Sequence, residues 1–300
     1  MNLKGVFPPI PTPFVDEAID HRALASNVAK WMKTRLAGLV VLGSNGEAPL
    51  LEDAESDAAI ETARAHVPRD RTLIAGVGRE STAATIQAAR RAADVGADVV
   101  LVRTPSYFKN VMTSDAFVRH FTAVADASPR PVLMYNVTMF TGVNLLPDAV
   151  ERLSAHKNII GMKESNADLV QLSETIARTP DGFIVLSGAA ATLYHAFCAG
   201  ANGAVLAVSA VLPDICVDIF DLVQKQRHAE ALDLQRRIVR MGRLLGAMHG
   251  VPALKYALDQ IGYVGGPVRP PLGALAPEGQ RQIREALAEL KIGQTTQSGG

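Results

Sequence analysis

The lysine at position 163 follows the apolar run IIGM (159–162), which predicts a short buried strand. Lysines are rarely buried unless a partner or a reaction requires the amine. Only the uncharged amine attacks a carbonyl carbon, and burial of a lysine disfavours its ammonium form. Such an amine can add to a 2-keto acid and form an imine, which withdraws electrons from the neighbouring carbon. The alternative is that Lys163 is an ion-paired residue at the rim of the fold.

Two tyrosines lie at the ends of other predicted strands. Tyr135 lies in the apolar run 131–137, and Tyr107 lies in TPSYF (104–108). An imine forms only after its carbinolamine precursor loses water, and this step needs a group that carries a proton. A tyrosine one strand away from Lys163 is suited to that role. Taken alone, Tyr135 can equally be a packing residue, and Tyr107 fits a role without function better.

The segment GSNGE (43–47) is bracketed by glycines and predicts a tight turn after a strand. Backbone N–H groups in such a turn can bind the carboxylate of a keto acid. The simpler interpretation is a plain strand-to-helix turn in which Glu47 complements the helix dipole. Beside Lys163 and Tyr135, the carboxylate-binding interpretation is favoured.

Other chemistries have no matching pattern in the sequence. The seven histidines are scattered, and no H-x-x-x-H pair suggests a zinc site. There is no dinucleotide-binding fingerprint, no phosphate-binding Walker sequence and no G-x-S-x-G nucleophile motif. We therefore expect neither a metal nor an organic cofactor, and a small 2-keto acid as the substrate.

The composition excludes several partners. Thirty basic residues balance thirty acidic ones, so the net charge gives no reason to expect nucleic acid. No run approaches the ~18 apolar residues of a membrane span, and the proline-rich N-terminus does not resemble a secretion signal. Cys198 and Cys216 lie in apolar surroundings and are expected to be buried and reduced. These features predict a soluble, cytoplasmic protein.

Eight apolar runs recur along the chain with helix-like segments between them. The runs span 5–10, 38–43, 72–78, 98–105, 131–137, 158–163, 183–188 and 203–208. Most are apolar throughout, as strands covered on both faces must be. The segment 81–95 is typical of the intervening helices, with a Ser/Thr cap at its start and Gly96 as its stop. Eight such units predict a (β/α)₈ barrel.

An open, doubly wound sheet is the competing architecture. It usually carries a glycine-rich loop after its first strand, whereas this chain has VFPPIPTPF there. The predicted organisation is a catalytic barrel over 1–212, a helical extension over 213–292 and a disordered tail over 293–300. Breaks in the extension are expected at 248–253 and at 263–271.

Several motifs occur in a fixed order and together resemble one known family. They are FPPIPTPF, GSNGEAPLL, GVGREST, TPSYF, YNV…TG, IIGMKES and LSGAAA, followed by YVGGPVRPPL near the C-terminus. This ordered set resembles the dihydrodipicolinate synthase / N-acetylneuraminate lyase family of class I aldolases. The resemblance runs from residue 4 to about residue 290.

The resemblance implies a (β/α)₈ barrel with a C-terminal helical extension, commonly assembled as a homotetramer built from two dimers. It implies that Lys163 is the Schiff-base lysine and that Tyr135 carries protons. Ser44 and Asn45, with their backbone N–H groups, would hold the pyruvyl carboxylate. Tyr107 corresponds to a tyrosine that in several members reaches into the neighbouring subunit's site.

Departures from the family pattern bear on the substrate. Synthase members carry two threonines where this chain has Ser44 and Asn45, and an arginine where it has Phe140. Phenylalanine cannot replace a charged, two-pronged donor to a carboxylate. Three alanines follow Gly188, where sialic acid lyases place acidic residues. The expected substrate-binding residues are Ser44, Asn45, Gly46, Phe140, Ser187, Gly188 and Val205.

The Ser-Asn pair and YVGGPVRPPL are most similar to the 4-hydroxy-2-oxoglutarate aldolase branch, which releases pyruvate and glyoxylate. Thr138, where many members have proline, is a further departure. The leading hypothesis is therefore an aldolase for 4-hydroxy-2-oxoglutarate or a related 2-keto-3-deoxy acid. The alternatives are a synthase with atypical substrate contacts, a dehydratase that uses the same lysine, and a non-catalytic binding module.

Overall fold

The computed structural model describes residues 3–290, so the tail predicted for 293–300 lies outside the described residues. Its strands, in chain order, are β1 (Gly5–Val6), β2 (Phe14–Val15), β3 (Ala18–Ile19), β4 (Gly38–Val41), β5 (Thr72–Gly76), β6 (Val99–Arg103), β7 (Val132–Asn136), β8 (Ile159–Glu164), β9 (Ile184–Ser187) and β10 (Gly203–Ala204). The antiparallel pair β2–β3 is a small hairpin, and the other eight strands form one parallel sheet. Each of the eight apolar runs thus contributes one strand to the sheet.

The sheet curls into a barrel. Its hydrogen-bonded order is β1-β10-β9-β8-β7-β6-β5-β4, and a parallel bridge between Pro9 and Val40 joins its two edges. One face of the strands fills the barrel interior, and the other face packs against helices. This two-sided burial explains why the strand sequences are apolar throughout. The (β/α)₈ fold is as predicted.

The helices, in chain order, are α1 (His21–Trp31), α2 (Asp53–His66), α3 (Thr82–Asp94), α4 (Ser114–Ala127), α5 (Thr138–Thr141), α6 (Pro147–Ser154), α7 (Leu169–Arg178), α8 (Leu193–Cys198), α9 (Val208–Val211), α10 (Pro213–Gln224), α11 (His228–Arg243), α12 (Gly250–Gln260) and α13 (Pro277–Glu289). The predicted helix at 81–95 is α3. The Ser81 side chain accepts a hydrogen bond from the Ala84 N–H at its start. Gly96, with φ of +104°, follows its end, where a side chain would be strained.

Four helices, α10 to α13, form the C-terminal extension. The break expected at 248–253 is displaced, because α11 continues into a π-helical turn, Leu244–Met248, and α12 already begins at Gly250. The break expected at 263–271 lies between α12 and α13. Arg269 in this segment binds Glu55 at 2.7 Å and donates its backbone N–H to Glu47 at 2.8 Å. The extension is thereby fixed against the barrel, and a domain boundary at residue 212 stays a prediction.

Two further expectations concern exposure. Cys216 is buried as expected, but Cys198 is exposed, because it ends the short helix α8 at the surface. Between residues 3 and 290, none of the helices has the combination of length and hydrophobicity needed to cross a bilayer.

Candidate active site

Lys163 projects into the barrel interior at the C-terminal end of β8. Tyr135 on β7 is its register partner, so the two side chains lie side by side on the same face of the sheet. Both are 5% exposed, and the Lys163 Nζ lies 4.2 Å from the centroid of the Tyr135 ring. The strand thus holds a nearly buried amine against the face of an aromatic ring.

Ser44 connects this pair to the turn after β4. Its Oγ and the Tyr135 hydroxyl share a hydrogen bond of 3.3 Å. A hydroxyl next to another hydroxyl can pass a proton on, so Tyr135 has both a neighbour for proton exchange and a position beside the amine. The geometry joins three residues from three different strand ends.

The turn itself, Ser44–Gly46, is a short 3₁₀ segment. Within residues 3–290, the backbone N–H groups of Ser44 and Asn45 donate to no protein acceptor, whereas the Gly46 N–H donates to the Gly43 carbonyl at 3.0 Å. Unpaired N–H groups at the start of a helical turn are ready donors to an anion. The turn therefore offers two backbone donors near Lys163. Gly46 packs against the segment after β1, where a Cβ would approach the Ile10 carbonyl oxygen to 3.3 Å, and it lines neither cavity of the site.

These residues line a cavity of about 90 Å³, here called the inner cavity. Its walls include Lys163, Tyr135, Ser44, Asn45, Phe140, Gly188 and Val205 from the predicted set. Gly188 must lack a side chain, because a Cβ would lie 2.0 Å from the Ser165 Oγ. A bound molecule in this cavity would meet the amine, the tyrosine and the turn together.

Nine residues that line the inner cavity are not among the predicted site residues, and three of them are informative. Ser165, two residues after the lysine, lines it. Leu245 and Gly246 also line it, and they belong to the π-helical turn of the C-terminal extension. The run IIGMKES contains Ser165, so that residue was detectable, but no local signal places residue 245 over a strand that ends at 164.

The outer part of the mouth is a second cavity of about 350 Å³, here called the outer cavity. It shares Ser44, Val137 and Phe140 with the inner cavity. Phe140 lies on the short helix α5 and is 60% exposed. Phe140 lines both cavities, so a keto acid longer than pyruvate would pass it on the way from the inner to the outer cavity.

Arg103 was also missed, although it ends β6 in the same layer. It is the register partner of Tyr135, and Val99 and Leu101 of its strand both face the interior. Arg103, Tyr135 and Lys163 therefore lie side by side on three consecutive strands. In DVVLVRTP the arginine is the last residue of the strand, whereas the predicted residue of this segment, Tyr107, follows the strand.

Three predicted residues, Gly46, Ser187 and Tyr107, do not line the cavities. Ser187 shares the face of Val185, which packs against the helices, while Leu186 faces the interior. Side chains alternate along a strand, so Ser187 is buried away from the mouth, and its expected substrate contact is not supported. Tyr107 is 77% exposed, packs its ring edge-on against Phe108 and lines none of these cavities.

Glu164, beside Lys163 in sequence, is not its counter-ion, because successive side chains on a strand point to opposite faces. It accepts hydrogen bonds from the side chains of Asn136 at 2.8 Å and Gln171 at 2.9 Å, and from the Asn166 N–H at 2.7 Å. Burial raises the pKa of this carboxyl above its ordinary value, although the three hydrogen bonds oppose the shift. The network fixes the ends of β7 and β8 relative to each other.

Among residues 3–290, no group of three or more histidine, cysteine, aspartate or glutamate side chains is arranged to hold a metal ion. The inner cavity presents the amine of Lys163, the hydroxyls of Ser44, Tyr135 and Ser165, and the backbone N–H groups of the turn. Together with the barrel, this arrangement suits imine formation with a keto acid.

Comparison with known proteins identifies the family. The model of the dihydrodipicolinate synthetase family matches residues 2–290. The chain belongs to this family. Enzymes of the dihydrodipicolinate synthetase family are pyruvate-dependent class I aldolases, and this chain is a carbon–carbon lyase of that class.

Relatives from three organisms illustrate the likeness. The chain is 34% identical to a 4-hydroxy-tetrahydrodipicolinate synthase of Methanothrix thermoacetophila, covering 96% of this chain and 97% of the relative. The structure of the same enzyme from Methylacidiphilum fumariolicum SolV superposes with a TM-score of 0.92 at 29% identity, covering 97% and 96%. YagE of E. coli K12, a family member solved in complex with pyruvate, gives 0.91 at 27% identity, covering 97% and 100%.

Proposed function

We propose that the protein is a Schiff-base aldolase that cleaves a 4-hydroxy-2-oxo acid to pyruvate and an aldehyde, with 4-hydroxy-2-oxoglutarate as the leading substrate. The observation that carries the proposal is the position of the Lys163 Nζ, 4.2 Å from the centroid of the Tyr135 ring in the wall of the inner cavity. The relative YagE, solved in complex with pyruvate, supports a keto acid as the ligand.

The proposed reaction begins when the Lys163 amine adds to the C2 carbonyl of the keto acid. The carbinolamine loses its hydroxyl as water, with a proton delivered by Tyr135, and an imine forms. The C4 hydroxyl then gives its proton to the deprotonated Tyr135 oxygen while the C3–C4 bond breaks, and the electron pair of that bond moves into the protonated imine. The aldehyde leaves, the enamine takes a proton at C3, and water releases pyruvate.

The turn after β4 would hold the keto acid in place. The free N–H groups of Ser44 and Asn45 are suited to the C1 carboxylate. This would leave C3 and C4 directed towards Phe140 and the outer cavity. The aldehyde portion would then lie in a space lined by residues from several loops and short helices and by Arg103 at the end of β6.

A 4-hydroxy-tetrahydrodipicolinate synthase is the second candidate, because the curated relatives carry that name at 34% identity. Such an enzyme condenses pyruvate with aspartate semialdehyde, so it uses the same imine. Two departures from the synthase pattern favour the aldolase. Synthase members carry an arginine at the position of Phe140 and two threonines at the positions of Ser44 and Asn45. The two candidates differ only in the second substrate.

Assembly with other copies is part of the proposal. Tyr107, Phe108 and Val111 are 77%, 66% and 56% exposed, an unusual density of apolar surface next to a site. A second copy packed there would cover these side chains and bring Tyr107 towards the partner's site, as in the homotetramer expected from the sequence. A cytoplasmic location is likewise proposed.

The central test is trapping of the imine. Borohydride and pyruvate together should inactivate the enzyme and leave a reduced three-carbon adduct on Lys163, located by peptide mass spectrometry. Lys255 is an internal control. It is also buried, with 1% of its surface exposed, but it lies outside the inner cavity. An adduct on Lys255, or none at all, would refute the proposed mechanism.

The substrate is tested on the same preparation. We expect pyruvate release from 4-hydroxy-2-oxoglutarate, coupled to lactate dehydrogenase, to exceed condensation of pyruvate with aspartate semialdehyde. A synthase reaction that is tenfold faster would favour the second candidate and leave the imine mechanism intact.

A further inference from the structure

Arg103 is the one cation besides Lys163 in the interior-facing layer formed by the ends of β6, β7 and β8 within the described chain. Two strand spacings separate the Cα atoms of the two residues, about 10 Å. Arg103 lines the outer cavity together with Ser44 and Phe140. It also lines a small side cavity with Ser44 and Tyr135. An arginine therefore faces the space that lies beyond the amine.

The guanidinium of Arg103 is held on one side only. Its Nη1 donates to the Glu80 Oε1 at 2.7 Å and to the Thr104 carbonyl at 3.2 Å. Within residues 3–290 its Nε and Nη2 donate to no acceptor. These two nitrogens form one edge of the planar group, and such an edge matches the two oxygens of a carboxylate.

Glu80 fixes the arginine and is itself saturated with donors. It accepts from the backbone N–H groups of Ser106 and Tyr107, both at 2.8 Å, as well as from Arg103. Burial alone would raise the pKa of Glu80, but these hydrogen bonds and the Arg103 charge hold it below its ordinary value. The carboxylate thus stays ionised and directs the guanidinium, while its own lone pairs are already engaged.

Space for the arginine is provided by Gly78. A Cβ at this position would lie 2.6 Å from the Arg103 Cγ. Any side chain at position 78 would displace the aliphatic part of Arg103. Gly78, two residues after β5, therefore leaves room for the arginine.

We infer that Arg103 is the specificity residue for a carboxylate on the aldehyde half of the substrate. The inference rests on the proposed imine at Lys163 and deepens it by naming the substrate class, a dicarboxylic 4-hydroxy-2-oxo acid. A keto acid bound at Lys163 extends past Phe140 into the outer cavity, and the free edge of Arg103 binds its far carboxylate. Phe140 offers that group no charge, so recognition comes from a strand instead of the loop.

The experiment compares two five-carbon keto acids that differ only at C5, 2-oxoglutarate with a carboxylate and 2-oxopentanoate with a methyl group. Borohydride trapping on Lys163 is measured against the concentration of each acid, which requires imine formation but no bond cleavage. For the wild type we expect half-saturation by 2-oxoglutarate at a concentration roughly tenfold or more below that for 2-oxopentanoate, within the range of charge-assisted hydrogen bonds. In Arg103→Met the ratio of the two concentrations should fall to within about threefold of one.

The controls separate charge, fold and position. Arg103→Lys keeps the charge without the planar edge and should give an intermediate ratio, and it decides the matter if Arg103→Met does not fold. Arg79→Met is the matched control, because the side chains of Arg79 and Arg103 are both 24% exposed, but Arg79 binds Asp53 and lines neither cavity. It should keep the wild-type ratio.

A wild type without preference, or an Arg103→Met variant that keeps it, would overturn the assignment. Trapping by pyruvate but by neither longer acid would do the same and leave the proposed aldolase standing. If pyruvate itself is not trapped, both the assignment of Arg103 and the proposed aldolase mechanism are refuted.

Discussion

Lys255 and Glu47 form an ion pair that is almost completely excluded from solvent. The Lys255 Nζ lies 2.5 Å from the Glu47 Oε1 and 2.6 Å from the Pro267 carbonyl oxygen, and the two residues are 1% and 2% exposed. Burial lowers the pKa of Lys255, and the neighbouring Glu47 charge opposes this shift. Since Glu47 directly follows the turn Ser44–Gly46, the pair ties that turn to helix α12 of the extension.

The first prediction concerns this pair. Lys255→Met should lower the free energy of unfolding by about 3–5 kcal/mol, because it leaves the Glu47 carboxylate buried without a counter-charge. Urea unfolding measures the change. Adding Glu47→Gln should recover much of the loss, since the double variant buries no unpaired charge. A single variant that loses less than about 1 kcal/mol would show that the pair is not needed for stability.

The second prediction tests the proton-carrying role of Tyr135. Tyr135→Phe should lower kcat by roughly 10²–10⁴-fold while weakening the equilibrium binding of pyruvate much less, because proton transfer sets the rate of imine formation and cleavage and not the contacts that hold the keto acid. Steady-state cleavage and titration calorimetry with pyruvate measure the two effects. Tyr194→Phe, on the surface helix α8, is the control and should behave as wild type. Equal turnover in both variants would leave Tyr135 as a packing residue.

The third prediction places an arginine at the loop position. Phe140→Arg should increase kcat/KM for condensation of pyruvate with aspartate semialdehyde by roughly tenfold or more, because it adds a charge-assisted hydrogen bond to a carboxylate. The site tolerates the change, since Phe140 is 60% exposed. Val170→Arg, on a residue that is 78% exposed and lines neither cavity, should change nothing. A synthase rate that does not respond would mean that position 140 does not select the aldehyde.

The fourth prediction follows from His120, which is 6% exposed and bonded to the Thr82 Oγ at 2.9 Å. Burial, together with the Arg103 charge, lowers its pKa to about 4, although Glu80 opposes the shift. The unfolded chain, with an ordinary pKa near 6.5, binds the proton more readily, so stability is full above that value and is lost as the pH falls towards 4. We expect a loss of about 2–3 kcal/mol between roughly pH 7 and pH 4.5.

The measurement is urea unfolding at both pH values. His120→Gln should remove most of this pH dependence, whereas His195→Gln, at an exposed position on α8, controls for the loss of a histidine as such. A His120→Gln variant as acid-sensitive as the wild type would assign the effect to other groups.

The barrel and its mouth were predictable for a simple reason. Buried parallel strands are apolar on both faces, so a polar residue at the end of such a run, as Lys163 is, marks the mouth without any knowledge of the fold. Tyr135 follows by the same logic, and register then places the two side by side. Their catalytic roles stay predictions, since placement alone does not establish them.

What escaped prediction depends on register and on distant contacts. Ser187 and Gly188 are adjacent in sequence, yet only Gly188 lines the inner cavity, because a shift of one residue moves a side chain to the other face. The guanidinium of Arg103 is oriented by Glu80, which lies 23 residues earlier in the sequence, so no local pattern identifies it. The wall formed by Leu245 depends on the packing of the extension over the barrel, which no local pattern reveals.

The mouth of the barrel has two kinds of wall, and this has an evolutionary consequence. The amine is supplied by a strand whose neighbours are buried, so substitutions around it disturb the core and are costly. Phe140 stands on the four-residue helix α5 at the surface, where most substitutions change stability by less than about 0.5 kcal/mol. Selection can therefore vary the loop contacts to the aldehyde half at little cost, whereas the amine of Lys163 on β8 and the guanidinium of Arg103 on β6 are tied to the strands and are inherited with the fold.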